Sequence, residues 1–204
     1  MSETNIQHNI ILAGVGGQGI LSIAAVIGMA AMDSGLHVKQ AEVHGMSQRG
    51  GAVQSHLRLS DRPIASDLIP EGECDMILSV EPMEALRYLP YLAPDGWLVT
   101  SSKPFRNIGD YPPEELLYRE IRSSGNHLII DAPAIASALG SARVSNMVML
   151  GAASTRLDID PEKLSASVGK IFGRKGEEMV RINTEALEAG REAVKSGKKQ
   201  GGHR

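Results

Sequence analysis

A chain of 204 residues with 42% apolar side chains is sized for one α/β domain, and an aromatic share of 3% makes its core aliphatic. So few aromatics exclude stacking platforms for single-stranded nucleic acid, and a net charge of -3 excludes a global basic field toward nucleic acid or lipid. The single cysteine, Cys74, excludes an internal disulfide and any cysteine-ligated zinc or iron–sulfur centre held within one chain.

The start, MSETNIQHN, lacks the basic and apolar regions of a signal peptide. No later run approaches the roughly 18 apolar residues of a membrane span. A soluble, cytoplasmic protein with no membrane or nucleic-acid partner is expected. The run NIILAGV predicts a first strand ending at a glycine cluster, and Ile20 to Ser34 predicts a helix closed by Gly35. HVKQAEV and AVQSHLRLS read as further strands, and RPIAS can pair with the latter as an antiparallel hairpin insertion spanning Ala52 to Ser66. DMILSV is a buried strand, EPMEALRYLPYLAP a short helix with Pro82 early, and GWLVTSS the next strand. PPEELLYREIRSSG predicts a helix, HLIIDAP a strand, and Ala132 to Leu139 and Val144 to Arg156 two more helices. DPEKLSASVGKIFG and GEEMVRINTEALEAGREAVKSG close the chain as helices, and the basic tail 196–204 reads as a frayed end. The alternation predicts a Rossmann-like α/β fold with a mostly parallel sheet and helices on both faces, one domain over 1–204 with its core at about 9–191.

GVGGQG matches G-x-G-x-x-G at Gly14, Gly16 and Gly19, after a strand and before a helix. In that setting glycines let a phosphate approach the backbone, and the helix offers unpaired N–H groups to it. Gly17 and Gln18 lie inside the turn, with the Gln18 amide expected to project above the sheet. Glu42, at the end of the second strand, stands where a ribose hydroxyl would be read. His44-Gly45-Met46-Ser47-Gln48-Arg49-Gly50-Gly51 follows, a bend with more donors and glycine than a reversal needs. Glu81 follows the next strand and is expected on the same edge. Gly14, Gly16, Gly17, Gln18, Gly19, Glu42, His44, Gln48, Arg49, Gly50, Gly51 and Glu81 therefore converge as a candidate rim for a cofactor or a partner. Each has a structural alternative: Gly50 and Gly51 supply positive φ, Arg49 pairs with Glu42 or Asp61, Glu81 starts a helix, and His56 is a packing histidine.

Self-sufficient catalysis has no visible equipment. There is no G-x-S-x-G, no Walker A sequence, and no zinc-type i, i+4 histidine pair, so no catalytic residue and no metal ligand is assigned.

GVGGQGILSIAAVIGMAA with EVHGMSQRGGAVQSHLRLS resembles the gamma-type component of the 2-oxoacid:ferredoxin oxidoreductases, closest to its indolepyruvate branch. EPMEALRYLPYLAPDGWLVTSS and NMVMLGA resemble further stretches, so the likeness covers about Asn9 to Arg191. It implies a subunit active only in complex with a large alpha subunit. That partner would carry thiamine diphosphate and [4Fe–4S] clusters, pass electrons to ferredoxin and deliver the acyl group to coenzyme A. No cofactor would be bound by this chain alone, and an isolated chain would hide its docking face in a homodimer. The glycine turn and the 44–51 loop would face the partner near its thiamine site or the coenzyme A path. The alternative from the glycine pattern alone is a stand-alone NAD(P)-binding Rossmann protein.

Overall fold

After Asn9 the run NIILAGV has no polar side chain to turn toward water, so a strand made from it must be covered on both faces. The computed structural model describes residues 6–44, 50–106 and 108–200. In it this run lies within β1 (Gln7–Val15), an interior strand of a six-stranded sheet. The others are β2 (His37–His44), β3 (Ala52–Ser60), β4 (Cys74–Ser79), β5 (Leu92–Ser101) and β6 (Asn126–Ile130), in the order β2-β3-β1-β4-β5-β6. β1, β4, β5 and β6 pair in parallel, while β3 runs antiparallel to both β1 and β2. Alternation divides the core: Ile10, Leu12 and Met76 enter one layer, and Ile11, Ile77 and Leu98 the other.

Helices cover both faces, as the strand–helix alternation predicts. α1 (Ile20–Asp33), α4 (Ala132–Ala138), α5 (Ser145–Ala153), α6 (Pro161–Phe172) and α7 (Glu177–Gln200) build the larger layer. α2 (Pro82–Arg87) and α3 (Glu114–Ser123) build the smaller one. The Gly35 stop is realised: with φ 79° it lets Leu36 N–H reach Ala31 O at 3.0 Å while its own N–H reaches Met32 O at 2.9 Å. This paired reversal satisfies carbonyls that the helix end would leave open.

Three boundaries differ from the sequence expectation. Residues 62–66 form no strand, and β3 pairs along its length with β1 and β2 instead. Pro63 has no N–H to give a ladder, and the Arg58 guanidinium instead holds the segment through Ser66 O and Leu68 O, each at 3.1 Å. The helix expected from Glu81 to Pro94 stops at Arg87, a 3-10 turn spans Leu89–Tyr91 around Pro90, and β5 begins at Leu92. α7 continues to Gln200, through the first part of the expected tail.

Each side of the sheet has one close contact that fixes its packing. α5 and α7 touch backbone to backbone: a Cβ on Gly151 would sit 2.0 Å from Leu187 O, and one on Gly190 2.0 Å from Val148 O. On the other side of the sheet, buried His56 accepts the Ile69 N–H at Nδ1 (3.0 Å) and stands edge-on to Tyr91. Burial lowers the His56 pKa from its usual 6.5, outweighing the opposing pull of Asp67 and joined by a smaller push from Arg58.

Gly151→Ala should therefore destabilise the chain by about 2–3 kcal/mol in denaturant unfolding, because rigid backbone rather than a movable side chain meets the added methyl. For His56 the folded pKa lies below the unfolded one, so the unfolded chain binds the proton first as pH falls. Its contribution is complete above about 6.5 and is lost below it. Urea midpoints measured from pH 7 to pH 5 should fall, and fall less in His56→Gln.

Candidate functional site

α1 carries the chain from β1 toward the β3–β2 side over one face, whereas α2 and α3 carry it toward β5 and β6 over the other. The winding therefore reverses between the carboxyl ends of β1 and β4, and such a reversal opens a crevice. A cleft of ≈ 520 Å³ lies there. Its walls are Gly17–Gly19 after β1, Val80 after β4, the 101–105 segment after β5, and Arg143 with Met149 around the start of α5.

The glycine turn is held by its own neighbours. Gly17 (φ 98°) and Gly19 (φ 79°) take the left-handed conformation, and Gln18 Oε1 accepts the Val15 N–H at 2.7 Å. From α5, buried Asn146 donates through Nδ2 to Gly19 O at 3.1 Å, and a Cβ on Gly19 would lie 2.5 Å from that nitrogen. Gly16 N–H donates to Gly51 O at 2.9 Å, which joins the turn to the start of β3. Among the described residues no side chain caps α1, and its first turn carries no acid. The positive end of its dipole thus meets the cleft unopposed. Lys103 and Arg143 add two cations to the walls, Lys103 at 3.5 Å from the Asp131 carboxylate. The arrangement attracts anions and supplies backbone N–H donors. Among the described residues no carboxylate or histidine lines it.

Of the rim expected from sequence, Gly17, Gln18 and Gly19 line the cleft. Gly16 and Gly19 also floor a shallower apolar depression on the outer side with Val15, Leu21 and Val53. Gly14 is buried in β1, where a Cβ would come within 2.5 Å of Val80 Cγ2, so it serves packing. Gly50 (φ 78°) makes the reversal and Gly51 does not share the positive φ. His44 ends β2 opposite Val53, while Gln48 and Arg49 lie outside the described residues. The Gln18 expectation is corrected in part, since its carbonyl folds back into the turn.

Two carboxylates are corrected outright. Glu42 does not adjoin the glycine turn: β3 lies between β2 and β1, which places it two strand spacings, about 10 Å, away. It is exposed and accepts Gln40 Nε2 at 2.6 Å. Glu81 sits at the correct strand end but is fully buried, with both oxygens committed to protein donors. Glu84, also buried, has its pKa raised, chiefly by burial and against the pull of Arg87.

Sequence reasoning missed Lys103, Arg143, Asn146 and Tyr111. Lone cations and a tyrosine in irregular segments carry no spacing signal, and Asn146 stands out only because it breaks an aliphatic helix. Cys74 offers no ligand chemistry: burial is the main cause that pushes its thiol up to about 12, so it stays protonated. Among the described residues no group of three His, Cys, Asp or Glu could hold a metal, and no helix is long and apolar enough to cross a membrane.

Residues 9–193 match the family described as pyruvate ferredoxin/flavodoxin oxidoreductase. The chain belongs to this family. It is 40% identical over 154 residues to indolepyruvate oxidoreductase subunit IorB of Pyrococcus horikoshii, covering 72% of this chain and 76% of that one. Its fold matches a 2-oxoglutarate:ferredoxin oxidoreductase from Magnetococcus marinus with TM-score 0.76 and 26% identity, over 93% of this chain but only 31% of that longer one. A keto/oxoacid ferredoxin oxidoreductase gamma subunit from Geobacter sulfurreducens, 24% identical, shares the fold with TM-score 0.67 over 93% of this chain and 99% of its own length. The chain is thus a gamma-type component of a 2-oxoacid oxidoreductase, and the reading as a stand-alone NAD(P) protein falls away. Within the family fold, the inserted β3 explains why: it removes the acidic residue from the place where a ribose would be read.

The turn geometry makes a comparative prediction. Gly17→Ala should cost about 1 kcal/mol of stability, from backbone strain alone, because nothing lies within 4 Å of the added carbon. Gly19→Ala should cost clearly more, since it also strikes Asn146, and thermal unfolding of the two variants checks the order.

Proposed function

We propose that this chain is the small subunit of an indolepyruvate ferredoxin oxidoreductase, and that its cleft receives the phosphates of coenzyme A. The observation that carries the proposal is the cleft at the winding reversal, where the uncapped α1, Lys103 and Arg143 meet and where, among the described residues, no carboxylate or histidine lines the wall. A cationic site at a helix start suits the phosphates of a co-substrate whose reacting end lies elsewhere. The structure of the Magnetococcus marinus enzyme has 2-oxoglutarate, coenzyme A and succinyl-CoA bound, which favours the same ligand class here. The Pyrococcus horikoshii relative favours indolepyruvate as the 2-oxoacid.

In this reading a large alpha subunit holds thiamine diphosphate and the [4Fe–4S] clusters. One buried, protonated cysteine cannot ligate a cluster, so this chain does not fit that role. The bound thiamine would supply decarboxylation of the 2-oxoacid. With it the 2-oxoacid would lose carbon dioxide, its acyl carbon would give up two electrons to ferredoxin and bond to the coenzyme A sulfur, and the thiol proton would be released. This chain's own residues hold the phosphate end: N–H groups of α1 and the two cations bind it, and the aliphatic wall at Val80 and Met149 excludes water beside it. The face formed by the glycine turn and exposed Leu21 docks on the alpha subunit. The complex works in the cytoplasm, this chain forms one domain of it, and the isolated chain covers its docking face as a homodimer.

The test is assembly of the complex without oxygen from this chain and its cysteine-rich partner, followed by steady-state kinetics with indolepyruvate. Lys103→Ala and Arg143→Ala should each raise KM for coenzyme A about ten-fold, with kcat changed less than about two-fold, the loss expected for one charge-assisted phosphate contact. Unchanged KM in both would overturn the assignment of this cleft.

A further inference from the structure

Several ties fix the segment that walls the cleft on the β5 side. Ser102 N–H donates to Ile130 O at 2.8 Å, Tyr118 Oη donates to Ser102 O, and Lys103 N–H donates to Ser101 Oγ at 3.2 Å. Arg106 pairs with Glu114 at 2.8 Å. All of these come from β5, β6 and α3, on the wall's own side of the crevice. From the β4–α2 junction the Glu81 carboxylate reaches across to this wall, and the Met83 backbone adds a hydrogen bond to the Tyr111 hydroxyl.

Glu81 is 0% exposed and caps α2, Oε2 accepting the Glu84 N–H at 2.8 Å. Its Oε1 accepts the Phe105 N–H at 3.2 Å and the Tyr111 hydroxyl. Its backbone is pinned by Ser79, whose Oγ donates to Glu81 O at 2.5 Å and accepts the Glu81 N–H at 3.2 Å. The preceding residue, Val80, is bonded through its N–H to Ala13 O at 3.0 Å and lies against Gly14. One side chain therefore links the strand that carries the glycine turn to the backbone of Phe105. Phe105 and Lys103 line the cleft facing Gly17–Gly19.

We propose that Glu81 is a positioning residue, whose buried carboxylate, completed by the Tyr111 hydroxyl, sets the distance between the Lys103–Phe105 wall and the glycine turn. It touches no ligand, and it acts by holding the cation and ring where the ligand's phosphate end passes. A buried anion with three donors is stiff, because losing any one of them leaves charge uncompensated. The inference rests on the coenzyme A reading of the cleft and adds the residue that fixes its width. Strand-end position alone put Glu81 on the rim; in the fold it lies buried beneath it.

Tyr111→Phe in the assembled complex tests it, because it removes one hydroxyl and leaves the α2 cap intact. KM for coenzyme A should rise about ten-fold with kcat lowered less than about two-fold, and the amides of Lys103, Phe105 and Arg106 should exchange faster while those of α1 do not. Glu81→Gln, which cannot accept from all three donors, should move both readouts further in the same direction and stands in if the first variant fails to fold. Unchanged KM in Tyr111→Phe and Glu81→Gln, with Lys103→Ala still raising it, overturns the positioning role alone. Unchanged KM in all three variants overturns the coenzyme A reading and this role with it. Faster exchange throughout the chain, α1 included, would show a merely structural residue and overturn the proposal.

Discussion

The antiparallel pairing of β3 with β1, residue for residue from Gln7 opposite Ser60 to Val15 opposite Ala52, is the constraint on which the rest of the molecule depends. It fills the edge of β1 that a second parallel strand would otherwise occupy. It also brings Gly51 onto the glycine turn and pushes β2, with Glu42, to the sheet margin. A dinucleotide site needs its acidic ribose reader beside the glycine turn. Here the backbone of β3 stands in that place, and a fold that shares the glycine pattern is committed to a different ligand geometry.

What remains at the reversal point is an electrostatic site. Helix-end N–H groups and two cations face it, suited to the phosphates proposed to bind there, and the buried carboxylates of Glu81 and Glu84 are turned into the protein rather than into the cleft. Such a division of labour suits a small subunit. Binding and orientation need only a rigid frame, whereas decarboxylation and electron transfer need groups that one buried cysteine and an aliphatic core cannot hold. The close α5–α7 contact through Gly151 and Gly190 supplies rigidity behind the cleft, and Asn146 transmits it to the turn.

Much of this was readable in the chain itself. The aliphatic run before the glycines read as a strand, Gly35 as a helix stop, and Pro82 and Pro161 as helix starts, and the structure places all four there. Boundaries were harder where two signals compete. Leu92–Pro94 continues an apolar helical pattern, yet Pro90 has already broken the helix and those residues join β5. The site was partly legible for a similar reason: glycines announce a turn by their steric freedom, but cations such as Lys103 and Arg143 look like any solvated surface residue until the fold brings them together.

The sequence by itself determined the class of fold, the aliphatic core and the glycine turn at the helix start, because these follow from residue type and local spacing. Tertiary structure alone decided which strand lies beside β1, which way Glu81 turns and how far Glu42 stands from the ligand edge. Those are matters of strand order and burial. They are set by contacts between residues tens of positions apart, such as Glu81 with Tyr111 and Gly19 with Asn146, and no local pattern encodes them.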